Sequence, residues 1–282
     1  MAITVALINM KGGVGKSTLT VNLAWHFAGY TTAWAKKVLV VDLDPQFNAS
    51  QYLLGVRKYA KLIEDGKPTI WGIFEQFTPV PGKKAAKIDT REAIRPISKW
   101  SDGSRIDLIP SMLELAFSLR NPGQKERLLS VALEPIKSEY DLILIDCPPT
   151  ESVLTTAAYL CSDYLLVPVK PEFLSSIGLP LLVNSMDSFK DQYPDRKLEL
   201  AGVVFNGSSG YSPEETLSKR EVRDTAKKYG WYVFDNEVPF SRSFPKGARE
   251  GLPLFKTSYS RTHVAHQFVT FAEEFAKKVG IS

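Results

Sequence analysis

Cysteine, histidine and methionine are scarce in this 282-residue chain, at two, three and four residues. Two cysteines, Cys147 and Cys161, cannot build a disulfide framework or a four-thiolate zinc site, and they suit a reducing cytoplasm. His263 and His266 stand three apart with no third ligand nearby in the sequence, which disfavours a metal site there. No uninterrupted apolar run approaches the roughly 18 residues of a membrane-crossing helix. The apolar start "MAITVALIN" lacks a charged flank and reads as a buried strand, not a signal peptide. No Pro/Gly/Ser-rich linker, repeat or low-complexity tract divides the chain, so a single domain over 1–282 is expected. What is present is ordinary for a globular protein: 44% hydrophobic residues, 23% charged, and a net charge of +4. That mild excess of positive charge hints at acidic partners.

Six short apolar runs recur, at 3–9, 37–44, 105–110, 141–148, 163–170 and 200–206. They lack strict alternation, as expected of strands buried on both faces. Helix-length segments separate most of them; the one over 16–29 puts Leu19, Leu23 and Phe27 on one face. This alternation predicts a doubly wound, mostly parallel α/β sheet. Residues 56–104, with dispersed Lys, Gly and Pro, predict loops and short helices. Near the C-terminus Val264, Phe268, Phe271 and Phe275 form one stripe, the spacing of a helix packed on its own sheet.

Three short stretches carry chemistry. "NMKGGVGKST" (9–18) matches the phosphate-loop pattern at Gly15, Lys16 and Ser17, but has Met10 where the first glycine belongs. An additional lysine, Lys11, precedes Gly12 and Gly13. A strand, then glycines, then a helix is the context in which backbone N–H groups of Gly12, Gly13, Val14 and Gly15 close around phosphate oxygens. Lys16 would reach the β- and γ-phosphates, Ser17 would ligate Mg²⁺, and Thr18 would add a hydroxyl near the α-phosphate. In "VVDLDPQFNAS" (40–50), Asp42 and Asp44 stand two residues apart at a strand end. In "YDLILIDCPPT" (140–150), four apolar residues lead to Asp146 at the carboxyl end of a strand, the edge where such sheets bind ligands. Its carboxylate would hold Mg²⁺ through water.

"KGGVGKST" resembles the deviant Walker A box of the ParA/MinD-type ATPases within the P-loop NTPase fold. "DLDPQ" and "DCPPT" resemble that family's two switch segments. Further matches at 108–116, 163–172, 202–206 and 251–262 fall in the family's order, so the resemblance spans nearly the whole chain. It implies that Lys11 reaches across a nucleotide-sandwich homodimer to the phosphates held by the other subunit. It assigns Asp44 to orient the attacking water and Asp42 to the outer shell of the metal. Adenine contacts fall to Asn206 and Pro239, although Asn206-Gly207 is equally a turn former. The guanine signature Asn-Lys-x-Asp is absent, which favours ATP. The chain departs from the family at Phe47, where glycine is usual, in a longer 28–37 segment, and in "SFPKGAREG" (243–251), which lacks an acidic-Ala-Pro triplet. Nitrogenase iron protein shares the loop, but its cluster needs paired thiolates at a dimer axis.

By resemblance the function is that of a Mg²⁺-dependent ATP hydrolase that partitions or positions a cargo. Its loaded dimer would bind DNA non-specifically, on the nucleoid within the cytoplasm, and a ParB-like adaptor would stimulate hydrolysis. Residues 212–261 supply ten Lys and Arg against seven acids, the excess that phosphate neutralisation needs. The short N-terminus implies no appended DNA-reading domain. The main alternative is a MinD-like ATPase that cycles on a membrane or protein surface through an amphipathic C-terminal helix. Cobyrinic-acid amidating synthases also use this loop, but they normally carry a glutaminase domain for which this chain looks too short.

Overall fold

Apolar runs that cannot alternate must be covered on both sides, and the computed structural model, which describes residues 2–30, 33–75, 89–120, 125–172 and 178–282, has that architecture. Its strands are β1 (Ile3–Leu7), β2 (Lys37–Asp42), β3 (Arg95–Lys99), β4 (Arg105–Ile109), β5 (Leu142–Asp146), β6 (Tyr164–Val169), β7 (Glu199–Ser208) and β8 (Val238–Pro239). They form one sheet in the order β3-β4-β2-β5-β1-β6-β7-β8, and only the β3–β4 pair is antiparallel. The helices are α1 (Lys16–Trp25), α2 (Asn48–Leu54), α3 (Val56–Glu64), α4 (Ile70–Glu75), α5 (Thr90–Ala93) and α6 (Leu128–Leu133). After β5 come α7 (Val153–Cys161), α8 (Gly178–Gln192), α9 (Pro213–Lys228), α10 (Ser243–Glu250) and α11 (Thr262–Val279). The sheet is thus a mostly parallel, doubly wound α/β sheet.

Two apolar layers cover it. Ile143 and Ile145 of β5 point into the layer that holds α7 and α8, while Leu142 and Leu144 point into the layer of α1 and α11. Leu19, Leu23 and Phe27 are fully buried in the second layer, and the α11 stripe Val264, Phe268, Phe271 and Phe275 fills it. The chain goes from β1 out to β2 and returns to lay β5 between them, then crosses β1 to β6. Loops after these central strands therefore converge at one switch point of the sheet.

The structure departs from the sequence reading in two places. Residues 56–104 hold a strand as well as helices: β3, "RPISK", is half-exposed and carries a register shift at Pro96. An edge position explains both the proline and the polar alternation that hid it. Residues 76–88 of that stretch lie outside the described residues. Asn206-Gly207 makes no turn; β7 runs on to Ser208, with Gly207 at φ 79° giving the irregular step that pairs Asn206 with Val238 and Ser208 with Pro239.

Phe47, where the family pattern has glycine, takes the left-handed backbone that glycine adopts readily. It precedes α2 at φ 47°, ψ 31°, and its ring stacks on Tyr59 with centroids 4.9 Å apart. A non-glycine residue there costs about 1 kcal/mol, which the stacked pair offsets. Phe47→Ala, which keeps the strain and loses the stack, should destabilise by about 1–2 kcal/mol, and Phe47→Gly by about 1 kcal/mol less. Urea denaturation of the two variants checks the order; a glycine variant less stable than the alanine one would refute it.

Candidate nucleotide-binding site

Three strand ends build the site. β1 leads into the glycine loop, β2 into the Asp44 segment and α2, and β5 into Asp146 and Pro149. The loop can turn because Gly13 (φ 75°) and Gly15 (φ 92°) take left-handed backbone that other residues resist. A Cβ built on Gly12 or Gly13 meets nothing of the chain within 4 Å, so the space above the loop is open to a ligand. Gly15 then opens α1, whose first N–H groups and dipole aim into that space. A cleft of about 390 Å³ lies there, lined by Gly12, Gly13, Gly15, Lys16, Ser17, Thr18 and Asp44, among others.

Lys16 is buried and donates to the carbonyl oxygens of Asn9 (3.1 Å) and Lys11 (3.2 Å). Burial lowers its pKa, against the opposing pull of Asp146, Cys147 and Asp44. Asp146 is fully buried, and neither carboxylate oxygen accepts a hydrogen bond of normal geometry, the Ser17 hydroxyl standing beside them. Burial and the Asp42 charge push its pKa well up, while Ser17 and Lys16 ease it. An orphaned carboxylate beside the Ser17 hydroxyl fits a hydrated Mg²⁺. Asp44 lines the cleft; one oxygen accepts from Gln46 N (2.9 Å), and burial raises its pKa.

Other expected site residues are placed differently. Asp42, expected in the outer shell of a metal, is fully buried and engaged by the chain. Its oxygens accept from Ser50 N (2.8 Å), Ser50 Oγ (2.6 Å) and Asp44 N (3.1 Å). It clasps α2 to β2 and so positions Asp44. Asn206, expected at adenine, donates its amide to the Val14 carbonyl (2.7 Å) and closes the loop from behind. Val14 is itself buried, and Pro239 sits half-buried on β8 opposite Ser208, one residue past the partner of Asn206. Neither Asn206 nor Pro239 lines the cleft, whereas Gln46, Asn48, Gln51, Tyr52, Val56, Pro149 and Ala248 do. Gln46 and Asn48 follow Asp44 in sequence and were within reach of that motif. Tyr52 and Ala248 arrive through tertiary packing and left no local signal.

Lys11 is engaged within its own chain. Its ammonium lies 2.8 Å from Glu172, which also pairs with Lys170 at 2.9 Å. A reach toward another subunit requires that pair to open.

The carboxylates give the site a pH signature. Burial raises Asp42 to about 7, and Asp44 and Asp146 shift the same way. The folded cluster therefore holds protons that the unfolded chain releases near pH 4. Stability from this cluster is highest below that pH and falls as pH rises toward 7. Asp42→Asn should flatten the decline in Tm between pH 4 and 7, measured without nucleotide; a slope equal to wild type would refute the assignment.

A family model described as an AAA domain matches residues 2–200. The chain is 30% identical over 254 residues to the chromosome partitioning protein ParA of Caulobacter vibrioides, covering 88% of this chain and 85% of that one. It belongs to the ParA/MinD family of P-loop ATPases. The fold is similar to the ATP complex of a McdA variant from Cyanothece, with TM-score 0.78 at 19% identity, over 100% of this chain and 97% of that one. It is also similar to the ADP and magnesium complex of cobyrinic acid a,c-diamide synthase from Mycobacterium smegmatis, with TM-score 0.69 at 22% identity, over 97% and 93%.

The cysteines of this ParA/MinD-type chain are both buried free thiols, Cys161 pushed to about 12 and Cys147 well up, which suits core packing and not a bridging cluster. His263 and His266 are exposed, and no group of three or more His, Cys, Asp or Glu forms a metal cage among the described residues. No helix among them is long and apolar enough to cross a membrane, and the α11 stripe is already spent on the core. The basic stretch 212–261 is thinner than its composition. Lys219 pairs with Glu215 and Glu237, Arg223 with Glu237, Lys246 with Glu250, and Arg220 with Asp224. Lys227, Lys228, Arg242, Arg249, Lys256 and Arg261 are exposed and make no ion pair among the described residues.

Proposed function

We propose that this single-domain ATPase hydrolyses ATP and uses a nucleotide-sandwich homodimer to bind DNA non-specifically, and so partitions or positions a cargo. The observation that carries this reading is two lysines on one glycine loop, Lys16 over the cleft and Lys11 beside it, next to the unpartnered carboxylate of Asp146. Lys16 would exchange its two carbonyl acceptors for phosphate oxygens, gaining charge-assisted contacts. Lys11 would leave Glu172 and supply a cation to the partner's phosphates, much as an arginine finger does. Asp44 would direct the attacking water, and Asp42 would hold Asp44 in place. Ser17, and Asp146 through water, would hold Mg²⁺, which neutralises phosphate charge when bound. Asn206 would reach adenine only by giving up the Val14 carbonyl, with Pro239 supplying backbone beside it. A ParB-like adaptor would stimulate turnover, and the loaded dimer would sit on the nucleoid.

Duplex binding tests this reading, with random-sequence DNA and no nucleotide, ADP, ATP or a non-hydrolysable analogue across a salt series. ATP-dependent affinity that falls with salt is expected. If only the six cations of 212–261 without an ion pair engage phosphates, the slope of log K against log salt should be about −11 for a dimer, at −0.9 per phosphate. No binding in any nucleotide state would overturn the DNA reading. Lys11→Ala should keep ATP affinity and lose ATP-driven dimers in light scattering; dimers that persist would remove its role in trans.

A further inference from the structure

One buried asparagine joins the nucleotide cleft to the basic C-terminal segment. Asn22 lies one turn beyond Thr18 on α1 and is fully shielded from solvent. Its amide nitrogen donates to the Thr18 carbonyl (2.8 Å) and to the Tyr52 hydroxyl (3.3 Å), and its oxygen accepts from Leu254 N (2.7 Å). The Thr18 bond is internal to α1, and the other two reach α2 and the linker after α10. Thr18 is part of the glycine loop's helix, and Tyr52 belongs to α2, which follows Asp44 and lines the cleft. Leu254 is in the linker between α10 and α11.

The packing around this joint leaves little slack. A Cβ on Gly247 would lie 2.6 Å from the Tyr52 hydroxyl and 2.5 Å from the Leu252 carbonyl, so α10 rests directly on Tyr52. Leu252 N donates to the Gly247 carbonyl (3.0 Å), fixing the start of the linker to α10. Two residues past Leu254, the Lys256 ammonium lies over Trp25 at 5.1 Å, so the linker is held to the far end of α1 as well. Arg249 precedes this linker, and Lys256 and Arg261 lie within it, three of the cations without an ion pair. A ligand that draws α2 toward the glycine loop must move Tyr52 against both Asn22 and Gly247. It must therefore move, or tighten, the linker that Asn22 holds by Leu254.

We infer that Asn22 is a positioning residue that couples occupancy of the nucleotide cleft to the placement of the basic linker 251–261. Its output on DNA rests on the function proposed above, while its mechanical part does not. A buried polar group on one element that bonds two others is suited to this task, because none of the three can move independently without breaking a bond.

Hydrogen–deuterium exchange of the full chain with and without a non-hydrolysable ATP analogue reads the mechanical part directly. In wild type the analogue should slow exchange over 251–261. In Asn22→Ala that protection should be lost while analogue affinity stays within about threefold, and the analogue's gain in duplex affinity should drop about tenfold, within the usual span of coupling strengths. If Asn22→Ala fails to fold, Tyr52→Phe removes only the hydroxyl and should reduce the same protection. Protection in the variants equal to wild type would overturn the inference, as would a wild-type linker indifferent to the analogue. Linker protection without duplex binding would leave the coupling standing and sink the DNA reading.

Discussion

Lys16→Ala should weaken ATP binding about a thousandfold, the largest single effect expected at this site. A thousandfold loss corresponds to about 4 kcal/mol, the scale of a desolvated lysine giving up charge-assisted contacts to phosphate. The side chain is already poised for that exchange, since it is 6% exposed and its ammonium contacts only neutral carbonyls, those of Asn9 and Lys11. Burial disfavours its charge, and nearby Asp146, Cys147 and Asp44 push the other way. Alanine would remove the cation from among three carboxylates whose pKa values are already raised, so the protein without nucleotide should also lose stability faster as pH rises from about 4 to 7. Lys16→Arg should not restore binding, because a planar fork does not replace a compact ammonium in a tight loop. Calorimetric titration with ATP decides it, and a Kd near that of wild type would dismantle the phosphate-loop assignment.

The parts of the site legible in the sequence are those made by one strand end at a time. Gly12 to Thr18, Asp44 and Asp146 each follow an apolar run, and the parallel sheet brings those run ends to one edge whatever the loops do. The edge strand β3 was not legible, because a half-exposed strand with a proline reads as loop. Asp42 was legible as a carboxylate but not as a clasp, since its partner Ser50 lies eight residues on, and only the return of α2 onto β2 brings them together. The contact of the Asn206 amide with Gly15 and Val14 has no local signal, because it depends on β7 lying two strands from β1. Composition does not show which cations of the basic stretch are paired, because the acids beside Lys219 and Arg223 sit both on the same helix and across on Glu237.

Asp44→Asn should separate binding from chemistry. Asparagine keeps the size and can still accept from Gln46 N, so the turn and the cleft survive. What it loses is the charge that orients and activates a water, and general-base contributions of this kind run to about 10²–10⁴ in rate. Turnover should fall by that factor while ATP affinity changes by less than about threefold, since binding rests on Lys16 and the loop amides. The ATP-loaded dimer should then accumulate and stay on DNA. Asp146→Asn should behave in the opposite way, weakening Mg²⁺-dependent ATP binding first, because its unpartnered oxygens are the group suited to the metal's water. The contrast matters because burial raises the pKa of both carboxylates, so that shift alone cannot tell water-directing from metal-holding. If Asp44→Asn turns over at the wild-type rate, the water is held by another group in the cleft. Gln46 and Asn48, which line it on the same side, become the residues to replace.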